Sequence, residues 1–390
     1  MPVIRSGVQY SGKWNLQTQG QALGAGKWPG FSPVGPGELW VWGLNHQGQL
    51  GLGNTTYAYS SPVQVGALTT WLDVSSGYAH NFGLASNGTL WGMGDNRFGQ
   101  LGDGTTANKS SPVQVGALTD WSKIAGAHWS TSAIKTDGTL WSWGYNSRGQ
   151  LGDGTTTQRT SPVQIGSLTT WYKISAGGYH ILATKTDGTL WLWGYNNLGQ
   201  LGDGTTTQRN SPIQLGALTT WLDVAAGVYG SYALKTDGTL WAWGDNRSGQ
   251  LGQGNTAGNS SPVQVGALTT WSEISTGTYY IFATKTDGAL WAWGNNGNGQ
   301  LGQGNTTNYS SPVQLGALTT WGALAGGQGQ ARGIISGALY TWGAGAQGQL
   351  GDGTTTGSRT SPVQLGALNK WAVLAKGPNS YSCLTIIQAS

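Results

Sequence analysis

The sequence predicts an all-β protein: a seven-bladed β-propeller of four-stranded antiparallel blades, the last blade closed by strands from both ends of the chain. Three recurrences predict it. Gly-Gln-Leu-Gly starts at residues 48, 99, 149, 199, 249, 299 and 348, and Ser-Pro-Val/Ile-Gln starts at 61, 111, 161, 211, 261, 311 and 361. Ten residues after each second motif stands a tryptophan: Trp71, Trp121, Trp171, Trp221, Trp271, Trp321 and Trp371. A period near 50 residues with strand-like content marks a propeller with one blade per repeat. Composition sets the same bounds. Glycine takes 68 of 390 positions and charged residues only 9%, which alone would suit a linker, yet 22 tryptophans supply the apolar surface a disordered chain lacks.

One unit, residues 121–165, justifies the four strands in order. Residues 121–126 (WSKIAG) form strand A and residues 130–135 (STSAIK) strand B. The Asp137-Gly138 pair between B and C is a hairpin signal, because glycine accepts the positive φ of a tight turn. Strand C is 139–144 (TLWSWG), with Trp141 and Trp143 two apart and so on one face. A glycine-rich connection then leads to strand D, Pro162–Ile165, whose proline suits the first position of an edge strand. Complete units start at Trp71, Trp121, Trp171, Trp221, Trp271 and Trp321. The C-terminus supplies only A and B (371–387), and the N-terminal side only C (39–43) and D (61–65). Two halves therefore make a seventh blade, and closing it removes the open sheet edges.

The run Leu-Trp-x-Trp-Gly-x-Asn-x-x-Gly-Gln-Leu-Gly-x-Gly, with its flanking Ala-Gly-x-x-His-type turn, resembles the repeat of the regulator of chromosome condensation family over residues 39–388. The resemblance implies a seven-bladed propeller. It also implies two roles: eukaryotic members act as guanine-nucleotide exchange factors on chromatin, and plant members sense ultraviolet-B light through Gly-Trp-Arg-His-Thr turns. Here the recurrent histidine of the A-to-B turn stands only at His80 and His180. The matching places read Gly77-Tyr78-Ala79-His80 and Gly177-Gly178-Tyr179-His180, without the Trp–Arg pair, and no acidic or basic tail is present.

Most of the repeated residues read as packing. Twelve tryptophans stand in the strand C motif, and regular spacing fits them to alike seams between blades. The Gly-Gln-Leu-Gly segment lacks the lysine and following helix of a phosphate loop. One aspartate per copy (Asp103, Asp153, Asp203, Asp352), replaced by Leu52 and Gln253 elsewhere, is too few for a calcium loop. Four histidines (46, 80, 128, 180), the single Cys383 and 15 carboxylates in no nucleophile–base arrangement predict no enzyme, no cofactor and no metal site. A net charge of +4 without basic runs predicts no nucleic-acid partner. The opening lacks the apolar core of a signal peptide and no stretch reaches the length of a membrane span, which predicts a soluble protein not exported by the general route.

Comparison of the copies places the diversity in the A-to-B and C-to-D connections, which an antiparallel meander brings to one face of the disc. That face carries Tyr78, His80, Trp129, Tyr179, His180, Tyr229, Tyr279 and Tyr280 as candidate contacts for a partner protein or a host-surface glycan, against the alternative of drift in surface loops. The other face reads as a solvated, neutralised rim, Lys135, Lys185, Lys235 and Lys285 alternating with Asp137, Asp187, Asp237 and Asp287. Residues 1–38 lack the repeat, resemble short N-terminal segments of bacteriophage virion proteins, and read as an assembly segment with Trp14 and Trp28 as docking anchors; 39–390 is the propeller. The leading expectation is a non-enzymatic structural or adhesive module of a virion surface, joined through 1–38 to other virion or scaffold proteins. A glycan-binding lectin and a cellular interaction scaffold in the cytoplasm are the alternatives.

Overall fold

The computed structural model describes residues 35–388, all of whose regular structure is strand. Strands β1 (Gly37–Leu44) and β2 (Ala58–Gln64) open the chain, and the first full blade follows as β3 (Trp71–Ser76), β4 (His80–Ala85), β5 (Leu90–Gly94) and β6 (Lys109–Gln114). Five more four-stranded blades repeat the pattern: β7–β10 (121–164), β11–β14 (171–214), β15–β18 (221–264), β19–β22 (271–314) and β23–β26 (321–364). The chain returns as β27 (Trp371–Leu374) and β28 (Ser382–Gln388), and the closing blade has the order β27-β28-β1-β2. All ladders within the blades are antiparallel; a Gly37–Trp71 pairing and an isolated parallel Ser75–Lys376 bridge join the closing blade to the first. The molecule is thus a seven-bladed propeller. Its closing ladder runs from Gly37 opposite Gln388 to Gly43 opposite Ser382.

The first strands of successive blades pack on one another around the axis, so strand A lines the centre and strand D the rim. The buried apolar residues divide into seven clusters, each straddling two neighbouring blades. Between the second and third blades, for example, Ile134, Leu140 and Ile165 meet Trp171, Ile181 and Trp193. The second tryptophan of each strand C pair is the seam's anchor. Trp143, Trp193, Trp243 and Trp293 each donate from Nε1 to the carbonyl of Gln100, Gln150, Gln200 and Gln250 in the preceding blade, at 2.9–3.0 Å. Trp42 closes the ring with the same bond to Gln349. Backbone must approach closely for this: at Gly152 (φ +79°) a Cβ would lie 2.7 Å from Trp193 Nε1.

The C-to-D connection is held by its own side chains. Asn146 Oδ1 accepts from the Leu151 amide at 3.0 Å, and Asp153 Oδ1 accepts from the amide and hydroxyl of Thr155. The aspartate of each copy is a turn cap, further paired with Arg159, Arg209 or Arg359 in the copies that carry one.

Two expectations need correction. Strand D starts earlier than the proline: it runs Arg159–Gln164, with a register irregularity between Arg159 and Val163. Pro162 lacks the N–H a regular ladder would use, so it sits in the irregular stretch rather than at the strand start. The constant face is likewise no neutralised rim. Register places Lys135 opposite Trp121, and its ammonium lies 4.3 Å from the Trp141 ring centre. Lys185, Lys235 and Lys285 lie 3.5, 3.8 and 4.4 Å over Trp191, Trp241 and Trp291. Burial pushes the Lys185 and Lys235 ammoniums down from their ordinary range, but the ring faces and the aspartates nearby favour the cation.

The aspartates instead order the turn. Asp137 accepts from the Thr139 hydroxyl, and that oxygen accepts from Trp141 Nε1 at 2.9 Å; the second relay is Asp187–Thr189–Trp191 and the third Asp237–Thr239–Trp241. The fifth blade breaks the relay with Ala289, and Trp291 Nε1 is buried with no partner among the described residues. Ala289→Thr is expected to restore the bond and stabilise the protein by about 1 kcal/mol. Urea unfolding followed by tryptophan fluorescence checks it; an unchanged midpoint would contradict it.

Candidate functional site

The A-to-B and C-to-D connections do share one face, because their side chains touch. Trp129 meets Phe98 and Tyr145 from two neighbouring C-to-D loops at ring-centre distances of 5.3 and 5.6 Å. Around the axis the rings form an arc. Tyr381 contacts Tyr78 at 5.9 Å, Tyr78 stacks on His128 at 4.4 Å, and His128 stacks on Tyr179 at 5.4 Å. Tyr179, Tyr195, Tyr229 and Tyr279 continue it at 6.3, 6.3 and 6.4 Å. All of these side chains are half-buried.

Burial keeps His128 and Tyr179 of the arc uncharged. Burial holds His128 down at about 4, and its Nδ1 accepts from the amide of Asn379 in the closing blade. The Tyr179 phenol is pushed up to about 12, by burial first and then by Tyr229 and Tyr145 beside it. The nearby charges are fixed: Arg97 and Arg247 each chelate the aspartate two residues before them, and Arg148 lies 5.3 Å over Tyr195. Such a surface offers flat apolar faces with phenol hydroxyls at their edges, the composition of contact hot spots.

Of the predicted face residues, Tyr78, Trp129, Tyr179, Tyr229 and Tyr279 stand in this arc. His80, His180 and Tyr280 do not, a correction to the expected contact set. Each is fully enclosed, because it begins strand B on the inward row of its blade. His80 Nε2 faces Thr131 Oγ1 and His180 Nε2 faces Ser231 Oγ in the next blade. Those hydroxyls donate to the carbonyls of Gln100 and Gln200, so the histidines are the donors. Tyr280 likewise donates to the Gln330 carbonyl. These are seam residues. Trp14, Trp28 and the assembly role assigned to 1–38 fall, up to residue 34, outside the described residues.

Sequence reasoning missed His128, Phe98, Tyr145, Tyr195 and Tyr381. It also missed a row inside the ring. The third residue of strand A points to the axis, and reads Asp73, Lys123, Lys173, Asp223, Glu273, Ala323 and Val373. Lys173 binds Asp223 at 2.9 Å, and Lys376 reaches past the sixth blade to Glu273 at 3.5 Å. Burial raises the Asp73 carboxyl and lowers the Lys123 ammonium. Diversity is therefore not confined to one face. On the constant face the leucine of each D-to-A connection, from Leu68 to Leu368, is exposed. Among the described residues no group of three or more histidines, cysteines or carboxylates could hold a metal, and no helix is long and apolar enough to cross a membrane.

A ring of repeats with a conserved scaffold and varied loops defines a propeller interaction module. The chain belongs to the RCC1-like domain family, whose model matches residues 122–383; regulator of chromosome condensation (RCC1) repeats match at 36–84 and 87–134. It is similar to the probable E3 ubiquitin-protein ligase HERC3 of Homo sapiens, 38% identical over 92 residues, 23% of this chain and 9% of that protein. It also resembles the RCC2 homolog of Danio rerio, 40% identical over 70 residues, 17% of this chain and 14% of that protein. The matched stretches thus span a small part of either relative. Human WBSCR16 shares the fold with a TM-score of 0.81 at 19% identity, covering 90% of this chain and 99% of that one. So does Prp20p of Saccharomyces cerevisiae, described with its binding to Gsp1p and histones, at 0.79 and 19%, covering 92% and 93%.

Proposed function

We propose that the face bearing the aromatic arc is the surface through which this propeller holds a folded protein partner. The observation that carries the reading is the continuity of half-buried rings from Tyr381 to Tyr279 across neighbouring blades. Scattered drift would not keep them in contact. The binding of Prp20p to Gsp1p and histones supports proteins as the class of partner. The absence of catalytic or cofactor duties is part of the same reading. The narrower role of a virion component rests on the wording of residues 1–38 alone.

Replacing Trp129, Tyr179 and Tyr229 together by Ala is expected to weaken the partner complex by at least about a hundredfold, since buried aromatics dominate such contacts. The full chain is immobilised and the proteins it retains from its source cells are compared for wild type, the triple variant and a Leu118→Ser/Leu168→Ser control on the opposite face. Loss in the triple variant only supports the assignment. Equal retention by a triple variant that still melts cooperatively ends it.

A further inference from the structure

The arc is interrupted at one place. The last residue before strand B is Trp129, Tyr179, Tyr229 and Tyr279 in four successive blades; in the first it is Ala79, where Tyr78 beside it supplies the ring, but in the sixth it is Gly329, with φ +82° and no ring next to it. Where the ring is missing, a cleft of about 310 Å³ opens between Tyr279 on one side and Tyr381 on the other. Asn295, Asn298, Gln328 and Gln347 form its walls, and no lining residue carries a charge. The loss of charge is local: the positions equivalent to Asn295 and Gly297 hold chelated Asp–Arg pairs in the first and fourth blades. Gln328 Oε1 and Gln347 Oε1 are buried and have no hydrogen-bond partner among the described residues.

We propose that this cleft binds a neutral saccharide unit, independently of whatever partner the arc holds. The wall amides of Asn295, Asn298, Gln328 and Gln347 carry both donors and acceptors, and a hydroxyl group answers either. A carboxylate or phosphate would meet no cation here, and an ammonium no anion. The tyrosine rings at the two ends offer faces for the apolar side of a pyranose. The volume lies at the small end of the range for small-molecule sites, room for one or two sugar rings.

A printed array of neutral mono- and oligosaccharides, probed with the full chain, is the first measurement; titration calorimetry with the retained sugar is the second. Gln328→Ala and Gln347→Ala are each expected to weaken binding about tenfold, the loss of one hydrogen bond left unmet. Gly329→Tyr, which fills the space, is expected to abolish it, while the Trp129/Tyr179/Tyr229 triple variant keeps it. Should Gly329→Tyr fail to fold at its positive φ, the two glutamine variants still decide. No retained sugar at millimolar concentration, capture of neutral peptides but no sugar, or sugar binding indifferent to both glutamines would overturn the proposal. Partner retention unchanged in the triple variant, with sugar binding intact, would count against the arc alone.

Discussion

Truncation after Tyr381, which removes β28, is expected to abolish the cooperative unfolding transition and leave aggregating chains. This strand lies between β27 and β1, pairing with β1 from Gly37–Gln388 to Gly43–Ser382. It buries Leu384, Ile386 and Ile387, each worth about 1.5–3 kcal/mol on transfer from water. It also supplies the Leu384 carbonyl to Arg332, whose guanidinium is wholly enclosed and finds its other acceptor on Ala375 of the same blade. Losing the strand therefore leaves a buried cation short of a partner and two strand edges bare. The summed loss is of the order of a whole domain's stability. Urea unfolding by tryptophan fluorescence, with light scattering in parallel, reads the outcome. A truncated chain that melts sharply near the wild-type midpoint would show that the closing blade does not hold the ring.

The second large effect is acid lability set by buried histidines, His80 and His180 foremost and His128 with them. Burial holds His180 down at about 3 and His80 at about 4, against about 6.5 when unfolded. Below about pH 6.5 the unfolded chain takes up protons that the folded chain refuses, so stability falls as pH drops. The loss continues until pH reaches the folded values. At pH 5 it amounts to roughly 2 kcal/mol per histidine. Asp103, Asp153 and Asp203, held below the usual carboxylate range by their threonine and basic partners once burial is offset, lose their contribution only at still lower pH. The carboxylate window thus lies below most of the histidine window and overlaps only its acid end. The sixth blade shows how to remove a titrating histidine: at the same register Gln330 donates from Nε2 to the Ser380 carbonyl of the next blade and cannot titrate in this range. His80→Gln/His180→Gln should cut the drop in urea midpoint between pH 7.5 and pH 5 by about two thirds, with His128, also held down at about 4, carrying the rest. A drop equal to wild type would mean that these imidazoles are not the acid-sensitive groups.

The ring itself was legible because spacing survives any local ambiguity: seven copies of Gly-Gln-Leu-Gly and of the strand A tryptophan fix blade number and the split seventh blade. The buried row was legible too, had alternation been followed from His80 to Phe82 and Leu84, which share one side of the strand. The Lys135 position over tryptophan follows from ladder register, which composition does not contain. The axial row needed knowledge of which strand is innermost, since Asp73, Lys123 and Lys173 read as ordinary surface charges otherwise. The arc needed three dimensions: Phe98, Trp129 and Tyr145 come from three connections that no linear period brings together.

The Gly37–Gln388 pairing has a mechanical consequence. The two extremities of the disc enter and leave it side by side, at the same end of one antiparallel ladder. Tension applied between them would meet that ladder end-on and peel it rung by rung, whereas the same force applied along a rim strand would have to shear many bonds at once. The propeller is a clasp that opens most readily to a pull on its own two ends.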